Sequence, residues 1–444
     1  LSDDVPNFSS IDYINMKEPL SIYIHWPFCL SKCPYCDFNS HVSDKVDHND
    51  WLKCYELELN HFKDTIGHKY IKSIFFGGGT PSLMKPFVVE GIISKIANLA
   101  TIDEYTEITL ETNPTSFETE KFKDFRLAGI NRVSIGVQSL VENDLKSLGR
   151  QHDVGQAIKT IETARRIFPR ISFDLIYARS NQTLKSWQDE LTNAMQLASG
   201  HISLYQLVIE KGTLFYKLFN DGNLTIPSSD QAADQYEWTN LYLKSQGYFR
   251  YEISNYAILG HECKHNLTYW QYNNYLGIGP GSHSRVNMYD IVNSGEFGAR
   301  NDGATPISNR RATSDNVHNF SSIDYSDFTS NLYSIMMWHK PEKWLQTVKS
   351  LGCGVQHINK LSMQEITEEM LMMGLRLEKG INIDLIQKRT SKQLFEILDI
   401  QKATYYKKLG LLQWDEELGD KGHINLTDKG LMLHSYIVPR LFSQ

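Results

Sequence analysis

Three thiols stand close together in Cys29-Leu-Ser-Lys-Cys33-Pro-Tyr-Cys36, a C-x3-C-x2-C spacing. Three thiolates on one tight loop can each hold one iron of a cubane iron–sulfur cluster. The remaining iron then has no protein ligand and is open to a small molecule. Structural zinc is the competing chemistry. It needs a fourth ligand, for which His25 or His41 is available. Position favours the cluster. The cysteine loop follows an apolar run, Ser21–His25, and a second run, Ser73–Phe76, ends in Gly77-Gly78-Gly79-Thr80-Pro81. Consecutive glycines let backbone approach a ligand closely. No Gly-Lys-Ser/Thr follows, so this is not a phosphate loop. Beside an open iron, such a loop can hold the amino group of a bound ligand. The other cysteines, Cys54, Cys263 and Cys353, are dispersed. A disulfide-stapled secreted domain would be smaller and denser in cysteine.

The elements that must position these residues repeat one pattern. Strand-like runs at Ser21–His25, Ser73–Phe76, Glu107–Glu111, Arg132–Gly136, Ser172–Tyr177 and Ser203–Val208 alternate with helical spacing. Trp51, Leu52, Tyr55, Leu59 and Phe62 make one apolar stripe. Further helices are expected over Val88–Asn98, Glu118–Leu127, Gly155–Ile167 and Leu184–Leu197. Alternation of this kind predicts α/β architecture, with a parallel sheet and right-handed crossovers. Six units give a partial (β/α)6 barrel. The strands end in His25 with the cysteines, the glycine run, Glu111 with Asn113, Gln138, Asp174 and Gln206. In parallel barrels chemistry sits at that rim.

After Gly212 the alternation fades. We divide the chain into a lead (1–20), a core barrel (21–212), a connecting region (213–287), a low-periodicity insertion (288–333) and a mostly helical C-terminal domain (334–444). The insertion should be poorly ordered. It holds SDNVHNFSSIDY at 314–325, which repeats SDDVPNFSSIDY at 2–13 in 10 of 12 positions. The C-terminal pattern of helix, short hairpin and helix resembles a winged helix. Its mixed charge favours packing or docking over DNA reading. With 45 basic against 52 acidic residues the net charge is −7, so a nucleic-acid partner is not expected. No apolar run is long enough for a transmembrane segment. The first twenty residues lack the basic start and apolar core of a secretion signal, so a cytoplasmic location is expected.

Taken in order, IHWPFCLSKCPYCDF, FFGGGTPSL, LETNP, RVSIGVQS, LGRQH and FDLIY resemble the radical-SAM proteins of the coproporphyrinogen-dehydrogenase type. Two features select a branch. Phe38 stands where the oxidases have a further cysteine, and His265-Asn-Leu-Thr-Tyr-Trp270 matches the H-N-x-x-Y-W signature of HemW-type haem chaperones. The short lead before Ser21 points the same way. The resemblance implies a [4Fe–4S] cluster on Cys29, Cys33 and Cys36. It implies S-adenosylmethionine contacts from Tyr23, Gly78, Gly79, Thr80, Glu111, Gln138, Arg150 and Asp174, and haem held by His265. Tyr269 and Cys263 are the other nearby candidates for haem iron. It implies a chaperone that binds haem and delivers it to haem-accepting proteins, respiratory enzymes among the candidates. Such acceptors allow a peripheral membrane contact, although no basic amphipathic helix stands out. The alternative function is an oxygen-independent coproporphyrinogen III oxidase. One departure concerns the fifth strand. The family pattern D-L-I-Y-G-L-P becomes Asp174-Leu-Ile-Tyr-Ala178-Arg179-Ser180, which puts a Cβ where glycine is free to take positive φ.

Overall fold

The computed structural model describes residues 19–43, 45–67, 69–287, 332–414 and 422–442. Both copies of the internal repeat, and the expected insertion up to 331, lie outside the described residues.

Six strands run parallel and adjacent: β1 (Pro19–Trp26), β2 (Tyr70–Gly78), β3 (Glu107–Thr112), β4 (Arg132–Gln138), β5 (Arg170–Tyr177) and β6 (His201–Gln206). These are the six units expected, and they form an open, partial barrel. Ile22, Ile24, Ile74, Phe76, Leu110, Ile135 and Phe173 are completely or almost completely buried. Each such side chain contributes about 1.5–3 kcal/mol on burial, so a sheet covered on both faces is held mainly by these runs.

The sheet then extends at both edges. β7 (Phe249–Glu252) and β8 (Asn255–Ala257) add antiparallel beyond β6. On the other side β9 (Tyr275–Ile278) lies parallel to β1, followed by antiparallel β10 (His283–Asn287), β11 (Leu332–Met337) and β12 (Val355–Lys360). The result is one twelve-stranded sheet. The faded alternation after Gly212 therefore hides strands. β9 has only four residues and sits among glycines and aromatics, too short a run for periodicity to show.

Helices cover the sheet: α1 (His48–His61), α2 (Pro86–Leu99), α3 (Val154–Ile167) and α4 (Leu184–Leu197), with α5 (Lys264–Trp270) and α6 (Pro341–Leu351) later in the chain. Capping boxes start α3 at Asp153/Gln156 and α4 at Thr183/Ser186. The helix expected over Glu118–Leu127 is split in two, Ser116–Thr119 and Phe122–Leu127. Glu118 turns inward and accepts hydrogen bonds from the Asn113 amide at 2.8 Å and from the Ser82 hydroxyl, tying this segment to the β3 rim. Buried Glu58 on α1 accepts from the amides of Gly279 (2.8 Å) and Gly354 (2.7 Å) and from the Trp344 indole (2.9 Å), which ties the end of β9 to α6 and to the turn that follows it.

The C-terminal part has its own core around Met370, Ile386, Ile424 and Ile437. Helices Ile383–Thr390 and Ile400–Lys408 precede a short antiparallel pair, Leu412–Trp414 with His423–Leu426, and helices follow. From Met363 on, the arrangement is winged-helix-like and mostly helical as expected, whereas Val355–Lys360, expected in that helical domain, is the edge strand β12 of the main sheet.

Candidate functional site

Parallel strands turn the carboxyl ends of β1 to β6 toward one rim, and a cavity of about 390 Å³ opens there. Cys29, Cys33 and Cys36 line it, together with Gly78, Gly79, Thr80, Glu111, Gln138, Arg150 and Asp174. The tight turn of the cysteine loop is closed by the Cys36 amide donating to Cys33 O at 3.1 Å. The glycines are needed for clearance. A Cβ on Gly79 would come 2.6 Å from the Phe28 carbonyl oxygen, and one on Gly78, which has φ +111°, would strike the His25 ring at 2.5 Å.

Two of the thiols accept hydrogen bonds. The Thr80 hydroxyl donates to Cys29 Sγ at 3.4 Å, and Arg150 Nη1 donates to Cys33 Sγ at 3.4 Å. Burial pushes the Cys29 and Cys36 thiols up, opposed at Cys29 by the Thr80 hydrogen bond. Three thiols lining one cavity are the donor type that a cluster's irons take. The zinc alternative loses one ligand: His25 already has Tyr23 OH at 3.0 Å from Nδ1 and Asn39 O at 2.9 Å from Nε2.

Two carboxylates, Glu111 and Asp174, line the same cavity. Glu111 accepts from the Gly78 amide at 3.2 Å. Burial, and then the neighbouring Asp174 charge, pushes Glu111 up to about 8. Burial pushes Asp174 up to about 6, opposed by hydroxyl hydrogen bonds from Ser203 and Ser134. Two shielded acids facing one cavity suit a ligand that brings its own positive charge. Arg150 Nη2 donates to Asn113 Oδ1 (2.6 Å) and Gly136 O (2.7 Å), holding a guanidinium in the same wall. Gln138 ends β4 with φ +69°, where the β4–β5 register shifts.

Tyr23 does not line this cavity. It lines a second one, also of about 390 Å³, with His25, Phe38, Asn39, Tyr269, Tyr275 and His283. Phe38, Gly78 and Glu111 are common to both, so the two spaces adjoin.

His265, the expected haem ligand, lies in the core of this structure. His265 is 1% exposed, stacks on Phe75 at 4.9 Å between centroids, and lines neither cavity. Its Nδ1 lies 2.8 Å from Ser73 Oγ and its Nε2 lies 2.8 Å from Tyr269 OH. Ser73 donates onward to Ser21 at 2.8 Å, and Ser21 lies 2.7 Å from Thr268 Oγ1, which donates to Lys264 O. This chain assigns the proton to Nδ1 and makes Nε2 the acceptor from Tyr269. Burial pushes the ring down to about 3. His265 is thus a neutral core residue that fastens α5 to β1 and β2, with both nitrogens engaged. Cys263 is also fully buried, its Sγ donating to Glu107 Oε1 at 3.4 Å.

Ala178, in the fifth rim loop, has φ +55°, the conformation that glycine adopts without strain. Arg179 is buried and paired with Glu190 and with Asp144 (2.7 Å). Ser134, Gly136 and Tyr205 also line the first cavity and were not among the expected site residues. The signal was present for two of them. Ser134 and Gly136 precede Gln138 at every second position of β4, so all three face the same side.

The Radical SAM superfamily description matches residues 23–192, and the HemN C-terminal domain matches residues 361–433. The Radical S-adenosyl methionine domain-containing protein 1, mitochondrial, of Dictyostelium discoideum is 35% identical, covering 97% of this chain and 96% of its own length. The Heme chaperone HemW of Haemophilus influenzae is 40% identical over 60% of this chain and 70% of its own length, and that of Escherichia coli 38% over 61% and 71%. Among solved structures, the coproporphyrinogen III oxidase HemN of Escherichia coli superposes with a TM-score of 0.73 over 96% of this chain and 90% of its own, at 19% identity, a likeness of fold. The three-cysteine loop, the glycine loop after β2 and the C-terminal module therefore have one common origin: the chain belongs to the HemW-type family of radical SAM proteins.

Proposed function

We propose that the protein is a haem-binding chaperone that delivers haem to acceptor proteins and keeps a [4Fe–4S] cluster and an S-adenosylmethionine site in its barrel. In this reading Cys29, Cys33 and Cys36 hold the cluster. Gly78, Gly79, Thr80, Glu111, Gln138, Arg150 and Asp174 receive S-adenosylmethionine, and Tyr23 acts from the adjoining cavity through His25. Glu111 and Asp174 supply the acceptors for an ammonium and for ribose hydroxyls, and Arg150 supplies a donor for a carboxylate. When bound, the cluster and S-adenosylmethionine bring the capacity for one-electron chemistry.

The observation that carries the chaperone reading is Phe38. It is 63% exposed at the boundary of the two cavities, an apolar ring where the oxidase branch has a further cysteine. Kinship with relatives named heme chaperone supports it. No helix among the described residues is long and apolar enough to cross a membrane. The reading puts the protein in the cytoplasm or, as the names of several relatives suggest, in a mitochondrion.

The test is paired. Ferric haem added to the anaerobically reconstituted protein should give a bound Soret band. The same preparation, reduced and supplied with S-adenosylmethionine, should leave coproporphyrinogen III unconverted. Robust formation of protoporphyrinogen IX would establish the oxidase function instead.

A further inference from the structure

The fifth rim loop puts a buried cation behind the wall of the first cavity. Arg179 is 3% exposed and stands outside the cavity lining. Its guanidinium serves three elements. Nη1 donates to the Ile176 carbonyl near the end of β5. Nη2 donates to Asp144 Oδ2 at 2.7 Å, on the short helix Glu142–Ser147, and to Glu190 Oε2 on α4. Glu190 is buried too. Its other oxygen accepts from the Ser139 hydroxyl at 2.7 Å and from the Leu140 amide at 2.8 Å.

Each attachment leads into the cavity. Ile176 lines it directly, on the same face of β5 as Asp174. Ser139 and Leu140 follow Gln138, whose φ is +69°. The Glu142–Ser147 helix runs on into Gly149 and Arg150, and the Arg150 amide donates to Leu145 O at 2.9 Å. Gln138, Arg150 and Ile176 thus stand on separate segments that share one anchor, the Arg179–Glu190 pair. A guanidinium fork serves acceptors from several directions at once, which the point charge of a lysine does not. Removing it would leave two carboxylates without their counter-charge, one of them fully enclosed, and the segments they hold would shift.

We propose that Arg179 is a positioning residue for S-adenosylmethionine: paired with Glu190, it fixes the places of Gln138, Arg150 and Ile176 without touching the ligand. The proposal rests on the reading of this cavity as the S-adenosylmethionine site. Groups that grip one ligand together lose affinity when the shell behind them loosens.

S-adenosylmethionine is titrated by calorimetry into the full, cluster-loaded chain for wild type, Arg179→Leu, Arg179→Lys, Glu190→Gln and Ile161→Ala, each checked for folding by circular dichroism. Ile161 is fully buried on α3, so its truncation is a control for general destabilisation. Arg179→Leu should weaken binding about tenfold with iron content unchanged. Arg179→Lys and Glu190→Gln should fall between it and wild type, and they carry the test if Arg179→Leu does not fold. Ile161→Ala should bind as wild type does. Combined with Arg150→Lys, Arg179→Leu should cost less than the two single losses together, because both act on one wall. Wild-type affinity in the Arg179 and Glu190 variants, an equal loss in Ile161→Ala, or strict additivity with Arg150→Lys would overturn the positioning role while leaving S-adenosylmethionine binding intact. Absence of binding to the wild type would overturn the S-adenosylmethionine reading itself, and this role with it.

Discussion

Arg150 donates to the sulfur of Cys33 at 3.4 Å while its other terminal nitrogen holds Asn113 Oδ1 at 2.6 Å. One guanidinium therefore links the cysteine loop to the end of β3. Arg150→Lys keeps the charge but loses the fork that serves several acceptors at once. S-adenosylmethionine affinity should fall by about 1.4 kcal/mol, or tenfold, as measured by calorimetry, with iron content nearly unchanged. Equal loss of iron and cofactor would show that Arg150 holds the loop and not the ligand.

Cys33→Ala should abolish cluster loading, because a three-thiolate loop has no spare ligand. Cys54 and Cys353 are buried away from the cavity lining. Cys54→Ala and Cys353→Ala should retain wild-type iron and sulfide content. Iron loss from either variant would move the cluster elsewhere.

Glu111 and Asp174 lie above their ordinary range when folded, at about 8 and about 6. The native state thus binds protons that the unfolded chain releases. Their stabilising contribution is fully present below the ordinary carboxylate range and is lost as pH rises through about 6 and then about 8. Urea denaturation of the cofactor-free protein should show this decline, and Glu111→Gln should flatten its upper part. Binding of an ammonium-bearing ligand should release a proton below pH 8, so affinity should rise with pH up to that value. Calorimetry in buffers of different ionisation enthalpy reads that proton directly.

His265→Ala would strand the Ser73 and Tyr269 hydroxyls and open a hole beside Phe75. A loss of about 2–4 kcal/mol in unfolding free energy is expected from the unpaired groups and the cavity together. A change under about 0.5 kcal/mol would contradict the buried network.

Ala178→Gly removes a Cβ from a residue at φ +55° and should stabilise the protein by up to about 1 kcal/mol. Thermal unfolding of the two proteins side by side checks the sign.

The six barrel strands were legible because each is an apolar run ended by polar or glycine residues, and the rim residues follow from where those runs stop. Cys29, Gly78, Glu111, Gln138 and Asp174 all meet in one cavity for that reason. Tyr23 went to the neighbouring cavity, since residues two apart on β1 share a face and it pairs with His25 across the strand end. For His265, motif chemistry says what a side chain is able to ligate, whereas the packing of α5 onto β1 and β2 gives both of its nitrogens partners in this structure. The approach of His41 to His339 had no local signature at all. His41 and His339 are far apart in sequence, and their rings meet at 6.5 Å between centroids only through the fold.

β1 lies between β2 and β9, with Ser21–Ile24 paired to Tyr275–Ile278. The strand that carries the cysteine loop leaves the ribosome well before β9, one of its two neighbours. Until Tyr275–Ile278 has been synthesised, one edge of β1 stays unpaired, and Glu58 has neither the Gly279 nor the Gly354 amide to receive. Long-range pairing of this kind is slow and leaves strand edges exposed. The thiols are therefore presented early on an incomplete scaffold. Cluster assembly belongs after translation of the sheet, and a nascent chain stalled before Tyr275 should acquire no stable iron.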